Sequence, residues 1–402
     1  SLHDALPIST NENGADFTHV HEVLKRQSDH SRMVMDAYQN GPLTLGIVAR
    51  MLGRSVPEVV TGWPNTGPKL FVSGGTSEER QSSAQLLERS EAAYVVDAAS
   101  ITELTRIECQ GVLAALPKVY CSTKTLEVLE VGLEEAQSVG ESGRIFDEDG
   151  EMRFVEYSSR DNERRVKFIQ ATVDAVRAHC EVIPAYGPEA LPEGLEKAEE
   201  ILEAEEYSVL LLIAEKNATL LTVDGRLAHL ATATFKRASV WPQVLIMHAV
   251  NKGLIQPRDY SQAIVRQFLS NRTFVSLTAY DLLWMVLQGG FTMRFGVQRL
   301  KEYLESPDTE FTSMADVVFA FLNLLAFHRS QVKGFAEILG HLVEAALRHP
   351  NADAEWFLAE IENLTVQLVA STVNENFAYP VRESMRQKSM TALRNVLVQS
   401  VD

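Results

Sequence analysis

Cysteine is scarce in this chain of 402 residues. The three cysteines, Cys109, Cys121 and Cys180, show neither a C-x-x-C motif nor paired spacing. This pattern argues against a disulfide framework and against a cysteine-rich zinc site. The histidines form no H-E-x-x-H pair either, so a zinc hydrolase of that type is excluded. We therefore expect reduced thiols and a cytoplasmic location.

Long apolar runs are also missing. The longest, residues 317–327, is too short to cross a bilayer, so it predicts a buried helix and no membrane partner is expected. Hydrophobic residues still make up 46% of the chain. That content leaves room for two or three compact units with cores of their own.

Positive charge is in short supply, with 37 Lys and Arg residues against 54 Asp and Glu and a formal net charge of −17. A broad nucleic-acid-binding surface needs clustered Lys and Arg. Only local groups exist: the run at residues 160–167, which also fits a solvated helix face, and Arg226, Lys236 and Arg237. Any contact with nucleic acid must therefore be local.

The order of periodic and breaking residues predicts an α/β fold. Strands alternate with helices in the middle of the chain, which predicts a parallel sheet with helices on both faces. Helical patterns flank it on both sides. The expected regions are a non-native leader at 1–10, a mostly helical region at 11–87, an α/β domain at 88–245 with a hairpin inserted near 143–157, and a helical region at 246–402. The leader shows no period and resembles translated sequencing-adaptor read-through, and the hairpin is signalled by Asp149-Gly150.

Four acidic residues occupy positions that chemistry could use. Asp97 follows the apolar run 92–96, Asp224 follows the run 218–223, and Glu206 opens an apolar helical stretch. The fourth, Glu127, follows the strand-like residues 118–122, although Glu130 lies one helical turn further along and only one of the two is expected to point inward. Parallel strands gather such residues at the carboxyl edge of a sheet. Four carboxylates there predict a site for a hard divalent cation.

Two further motifs have a structural and a functional interpretation. Residues 43–60 have the spacing of a helix-turn-helix, but the second helix contains no Lys or Arg, and this favours packing over DNA binding. Residues 71–76 resemble a strand that leads into a phosphate loop. The segment lacks the P-loop lysine and a complete G-x-G-x-x-G, so a plain turn is the better prediction.

The acidic positions resemble those of PIN-domain (PilT N-terminus) nucleases over residues 88–245. An Asp after a strand, a Glu in a helix, an acid that opens an apolar helix, and finally the segment Thr222-Val-Asp224-Gly-Arg226 follow the order of that family. The resemblance implies that Asp97, Glu127, Glu206 and Asp224 are catalytic and bind Mg²⁺ or Mn²⁺. Glu206 departs from the family in being Glu where Asp is more common, and Tyr207 follows it where the family has a small residue.

The flanking segments narrow the resemblance. Residues 37–55, 71–79 and 143–154 are similar to the PIN subgroup found after tetratricopeptide repeats and a Gre-type domain in bacterial conflict systems. This resemblance implies a C-terminal piece of a longer protein, with the missing N-terminal domains or another protein as partner.

Two functional hypotheses follow from these observations. The first is a Mg²⁺- or Mn²⁺-dependent endoribonuclease that cleaves single-stranded or structured RNA, as the effector of a toxin or phage-defence system. The second is a catalytically inactive PIN-like scaffold whose helical flanks bind a protein partner. Convergence of the four carboxylates favours the first, and a salt bridge that buries one of them favours the second.

Overall fold

The computed structural model describes residues 9–11, 14–16, 18–64, 67–138, 142–148, 151–287, 293–307, 309–327 and 335–371. Residues 1–8 of the expected leader and the turn residues Asp149 and Gly150 lie outside these ranges. Within the described residues, one compact unit reaches Gln256 and includes Ser270–Thr273. A second unit comprises Pro257–Leu269 and the chain from Phe274 onward.

The strands of the described residues all belong to the first unit. They are β1 Ser9–Asn11, β2 Gly14–Asp16, β3 Ala93–Val96, β4 Lys118–Ser122, β5 Ser142–Glu148, β6 Glu151–Tyr157, β7 Glu181–Ile183, β8 Thr219–Leu221 and β9 Ser239–Val240. Five of them form one sheet in the order β7-β4-β3-β8-β9, and every neighbouring pair is parallel. Strands β1 and β2 pair antiparallel, as do β5 and β6, which form a hairpin around the Asp-Gly signal.

Helices account for most of the remaining described chain. The first unit has α1 Thr18–Asn40, α2 Leu45–Leu52, α3 Val56–Thr61, α4 Ser77–Leu87, α5 Ala98–Arg106, a 3-10 helix Gln110–Ala115, α6 Thr123–Ser138, α7 Ser159–His179, α8 Glu193–Ala198, α9 Ala204–Lys216, α10 Gly225–Phe235 and α11 Pro242–Asn251. The second has α12 Pro257–Leu269, α13 Ala279–Leu287, α14 Met293–Leu304, α15 Phe311–Phe327, α16 Phe335–Leu347 and α17 Ala354–Ser371. The predicted α/β class with helical flanks is confirmed.

Both faces of the sheet are covered by helices. In β3, Tyr94, Val95 and Val96 are completely buried, as expected for a central parallel strand between two helical layers. Val95 packs in a cluster with α8, α9 and α10, and Ile47 of α2 belongs to that cluster. Helix α2 is therefore part of the same core as the sheet.

Strand register brings two loops together at the carboxyl edge of the sheet. Val96 of β3 lies opposite Leu221 of β8 and Cys121 of β4. The residues that follow β3 and β8 consequently leave the sheet side by side, which places Asp97 beside Thr222 and Asp224.

The helix-turn-helix candidate is a packing element, as its lack of positive charge predicts. α2 ends at Gly53, which adopts a left-handed φ of 61°. α3 begins with a capping box between Ser55 and Glu58, and its Val56, Val59 and Val60 are buried. Because α3 packs against α5, it is not available as a recognition helix.

The second unit is a helical assembly with an aromatic core. Phe321 and Phe357 are completely buried, and the rings of Phe319 and Phe357 stack at 5.0 Å. The apolar run at 317–327 lies within α15, as predicted. Among the described helices, none combines the length and the apolar character needed to cross a membrane.

One buried acid of the first unit is held by two arginines. Glu103 of α5 is completely buried and forms ion pairs with Arg106 at 2.7 Å and with Arg272 at 2.9 Å. Burial alone raises the pKa of Glu103, but the guanidiniums of Arg272 and Arg106 outweigh it and hold the pKa well below its usual range. Arg272 also donates to the Val60 carbonyl at 2.7 Å, so this cluster connects α3 and α5.

We predict that Glu103→Gln lowers the free energy of unfolding by about 3–5 kcal/mol, because it leaves two guanidiniums buried without a counter-charge. The matched control is Glu130→Gln, which removes a solvent-exposed pair with Arg177 and should cost about 1 kcal/mol or less. Urea denaturation of the purified variants measures both values. Equal losses in the two variants would contradict the structural role of Glu103.

Candidate active site

Asp97 is the first acid at the carboxyl edge of the sheet. It caps the N-terminus of α5, where its Oδ1 accepts the Ser100 N–H at 2.7 Å. Its Oδ2 accepts the hydroxyl of Thr222 at 2.5 Å. The side chain is buried, and this burial raises its pKa even though the hydrogen bonds act in the opposite direction.

Asp224 follows β8, two residues beyond Thr222, which is the first residue after that strand. It caps α10, and its Oδ1 accepts the N–H groups of Arg226 and Leu227 at 2.9 and 3.2 Å. Its own N–H donates to the Thr222 hydroxyl at 2.9 Å. Thr222 therefore bridges Asp97 and Asp224 and fixes their separation.

Two consecutive acids enter from the first turn of α9. Glu205 accepts the Ala98 N–H at 3.0 Å and the Thr125 hydroxyl at 2.7 Å. Glu206 accepts the Thr44 hydroxyl at 2.9 Å and the Gly46 N–H at 2.8 Å. Successive residues of a helix project about 100° apart, so the two carboxylates reach the site from different sides. Glu205 lies toward α5 and α6, and Glu206 toward α2.

These four carboxylates, called here the acidic cluster, share an electrostatic environment. Burial, followed by repulsion from neighbouring acids, raises the pKa of Glu205 to about 7 and that of Glu206 to about 8. Burial likewise raises the pKa of Asp224 to about 6, with repulsion from Asp97 as a smaller contribution. In the described part of the chain, none of the four forms an ion pair with Lys or Arg. The cluster differs in this respect from Glu103, which forms ion pairs with two arginines.

Glu127, predicted from the sequence as the helix acid, lies outside the acidic cluster. Its side chain is 58% exposed and pairs with Lys124 at 2.7 Å. Thr125 is the residue of α6 that points inward to Glu205, and two residues further along a helix corresponds to a rotation of about 200°, which turns Glu127 outward. Glu130 is also directed away and pairs with Arg177. A catalytic role for Glu127 remains a prediction that no contact supports.

Glu205 is the member of the cluster that sequence reasoning missed. It precedes Glu206 directly, and both stand in the first turn of α9. The sequence does contain a signal for Glu205: two adjacent acids begin an otherwise apolar helix, and both can face the same edge of the sheet. The predicted site includes only one of these two acids, Glu206.

Helix α2 covers the cluster from outside the sheet. The Leu45 N–H donates to Asp224 Oδ2 at 2.6 Å, beside the contact of Gly46 with Glu206. A cavity of about 400 Å³ lies next to the cluster, with Thr222, Gly225, Phe71 and Trp241 in its wall. The four acids are not among the described residues that line it.

The comparison with known families agrees with this geometry. Residues 95–233 match the model of a family described as a PIN domain associated with the TPR-GreAB-C-PIN system. These residues form a PIN domain of that subgroup. The match covers about a third of the chain and includes the whole acidic cluster, whereas α2 precedes it. No curated protein and no solved structure matches the chain.

The side chains of the acidic cluster are of the type that binds divalent cations. Their positions in this structure, however, do not form a metal site. Carboxylate oxygens are the ligands that Mg²⁺ and Mn²⁺ prefer, and the cluster offers four carboxyl groups. Yet no group of three or more His, Cys, Asp or Glu side chains among the described residues is arranged to hold a metal ion. Oxygens of Glu206 and Asp224 accept hydrogen bonds from α2 instead.

We predict that the chelator-treated protein loses stability as pH rises, because Glu206 must ionise while buried. The pKa of Glu206 is raised to about 8, above an unfolded value of about 4.3. Its contribution is therefore complete below about pH 4 and is lost as pH rises through about 8.

The measurement is the unfolding free energy of the parent and of Glu206→Gln at pH 5.5 and pH 8.5 in EDTA. The parent should lose about 2–3 kcal/mol relative to Glu206→Gln, at about 1.4 kcal/mol per pKa unit. Glu127→Gln serves as control and should follow the parent. If the parent and Glu206→Gln change in parallel with pH, the assigned environment of Glu206 is wrong.

Proposed function

We propose that the PIN domain is a metal-dependent endoribonuclease that hydrolyses phosphodiester bonds, with Mg²⁺ or Mn²⁺ as cofactor. The observation that supports this most strongly is the acidic cluster itself. PIN domains are generally nucleases, and PIN nucleases usually use divalent metal ions. The four buried carboxylates are the groups of this chain that could supply such an ion with ligands.

The energetics of the cluster favour a functional role over a structural one. Burying carboxylates without cationic partners is unfavourable for folding. Residues with strongly perturbed pKa values collect at functional sites for this reason. Glu103 demonstrates that this fold can neutralise a buried acid with arginines where structure alone requires it.

The proposed ligands are Asp97, Glu205, Glu206 and Asp224. When bound, a divalent cation lowers the pKa of a water molecule and neutralises negative charge on the scissile phosphate. Thr222 acts on the ligands, since its hydroxyl fixes Asp97 relative to the backbone of Asp224. Ser100 also connects the two strand ends. Its N–H donates to Asp97, and its Oγ accepts the Val223 N–H at 2.6 Å.

Contact with RNA must come from local positive charge, because the chain as a whole is acidic. Arg226 stands two residues after Asp224, and its guanidinium lies 5.2 Å from the centre of the Phe71 ring. Its buried Nε has no hydrogen-bond partner among the described residues. We assign Arg226 the role of a phosphate contact, with Lys236 and Arg237 at the end of the same helix as further candidates. RNA as the substrate is supported by the resemblance to PIN nucleases.

The biological setting is also part of the proposal. The family description names a TPR-GreAB-C-PIN system, which supports a role beside such domains. We propose that the chain acts there as a toxin or phage-defence effector with a protein partner. The three free cysteines fit a cytoplasmic location.

A second candidate function, an inactive PIN-like scaffold, is favoured by a specific observation. Every acid of the cluster is at most 5% exposed, and α2 covers two of them. In a scaffold this cover would be permanent, and the protein would neither bind a divalent cation nor cleave RNA.

We predict that the purified chain cleaves RNA in Mn²⁺ or Mg²⁺ and that excess EDTA abolishes the activity. Asp97→Asn should reduce cleavage at least about 10²-fold, the scale expected for loss of a major electrostatic group at a reaction centre. Product formation on a fluorescently labelled RNA pool measures both effects. Undiminished cleavage in EDTA would rule out the metal-dependent mechanism.

A second set of variants separates the two candidates for the fourth acid. Glu205→Gln should reduce cleavage to the level of Asp97→Asn, because Glu205 is buried against α5 in the cluster. Glu127→Gln should retain activity within about threefold, as expected for an exposed ion pair. The reverse outcome would make Glu127 the fourth catalytic acid, as the family resemblance implies, and would exclude Glu205 from that role.

A further inference from the structure

We propose that the first turn of α2 is a built-in inhibitor of the PIN domain. Its donors, called here the α2 cap, are the Thr44 hydroxyl and the N–H groups of Leu45 and Gly46. They occupy carboxylate oxygens of Glu206 and Asp224 that a divalent cation would bind. The inference rests on the proposed function, because it takes these oxygens to be metal ligands. The contacts of the α2 cap can nevertheless be tested without measuring catalysis.

The α2 cap offers the carboxylates partial positive charge from within the chain, in the place of a metal cation. The N-terminus of a helix has unsatisfied N–H groups and a partial positive charge. Here Leu45 N donates to Asp224 at 2.6 Å, while Gly46 N and Thr44 Oγ1 donate to Glu206 at 2.8 and 2.9 Å. Two carboxylates that lie 160 and 179 positions further along the chain thus accept hydrogen bonds from one helix end, where they are partly neutralised.

Gly46 permits this close approach. A Cβ at position 46 would lie 2.4 Å from Glu206 Cδ and 2.5 and 2.6 Å from its two oxygens. Gly46 is not among the described glycines with a positive φ, so its backbone conformation alone does not call for glycine. The contact between Gly46 and Glu206 gives a physical reason for glycine at this position.

Access to the acidic cluster is closed while the α2 cap is in place. Asp97, Glu205, Glu206 and Asp224 are 2, 5, 3 and 1% exposed. A phosphodiester must reach a metal held by these oxygens, and the adjoining cavity does not include them in its wall. Catalysis therefore requires α2 to move away from the cluster.

The attachment of α2 combines a buried anchor with weaker contacts. Ile47 packs in the core with α9, and the Arg50 guanidinium donates to the Ile201 carbonyl at 3.2 Å. The pair between Arg50 and Glu203 at 2.9 Å is solvent-exposed and contributes little. Since α2 precedes the matched residues 95–233, the inhibitor is a segment that flanks the PIN domain.

Competition for the same oxygens has a thermodynamic consequence. A cation that binds only when the α2 cap is displaced has an affinity reduced by the free energy of displacement. Weakening the cap must then strengthen metal binding, and metal binding must in turn expose the cap.

The test uses Gly46→Ala in the full chain, with Gly132→Ala as control. Gly132 is also a helical glycine, and a Cβ there meets nothing within 4 Å. Two quantities are measured: the Mn²⁺ dissociation constant by titration calorimetry and the hydrogen exchange of backbone amides at positions 45–47. Gly46→Ala should bind Mn²⁺ about tenfold more tightly, the factor that loss of roughly one hydrogen bond to a charged group implies. Its amides should exchange faster, whereas Gly132→Ala should match the parent in both.

A second pair of variants keeps the test valid if Gly46→Ala does not fold. Thr44→Val removes the hydroxyl that donates to Glu206, while Thr44→Ser retains it. We expect tighter Mn²⁺ binding for Thr44→Val and parental binding for Thr44→Ser.

The outcomes distinguish the inhibitor from the nuclease. Tighter Mn²⁺ binding and faster exchange without RNA cleavage would support the α2 cap and contradict the proposed function. Equal Mn²⁺ affinity in parent and variants, with positions 45–47 still protected in saturating Mn²⁺, would overturn the α2 cap even if RNA is cleaved. Absence of Mn²⁺ binding in every variant would overturn both.

Discussion

The constraint on which the site depends is the burial of four carboxylates at one end of a parallel sheet, with no Lys or Arg of the described chain paired to them. Each must then obtain its hydrogen bonds from neutral donors. Asp97 accepts the Ser100 N–H in the first turn of α5, and Asp224 accepts the Arg226 N–H in the first turn of α10. Glu205 accepts the Ala98 N–H and the Thr125 hydroxyl, and Glu206 accepts the Thr44 hydroxyl and the Gly46 N–H of the α2 cap. The strand ends, the helix starts and the N-terminal segment are all organised around these acceptors.

Two buried acidic centres in one unit show two different solutions to the same problem. Glu103 is neutralised by Arg106 and Arg272, so that its pKa falls. The acidic cluster instead keeps raised pKa values, because burial raises them, its members repel one another and no positive charge among the described residues offsets these effects. The first arrangement ties α3 to α5. The acidic cluster lacks such a counter-charge, and an external cation could supply it. This difference separates a structural acid such as Glu103 from a candidate metal ligand.

Much of the fold and part of the site could be predicted from the sequence. Asp97 and Asp224 follow apolar strand-like runs, and parallel strands necessarily bring such positions to one edge. Glu206 was found because an acid at the start of an apolar helix is conspicuous. The orientation of α6 was harder, since helical spacing alone does not reveal that Thr125 faces inward and Glu127 faces solvent.

The role of α2 could not have been predicted from local pattern. The contacts of Leu45 with Asp224 and of Gly46 with Glu206 join residues separated by 179 and 160 positions. Propensity and periodicity report on neighbours in sequence, so they identified α2 only as a packing helix. Gly46 looks like an ordinary interruption of a helical pattern until the carboxylate beneath it is known.

The most direct test of the acidic cluster as a metal site is a crystal structure of the full chain in saturating Mn²⁺, with anomalous difference maps measured at the manganese edge. We predict a manganese peak among the carboxylates of Asp97, Glu205, Glu206 and Asp224, with the amides of Leu45 and Gly46 withdrawn from the last two. The contradicting result is a map without manganese at the cluster, in which Glu206 and Asp224 still accept the hydrogen bonds of α2.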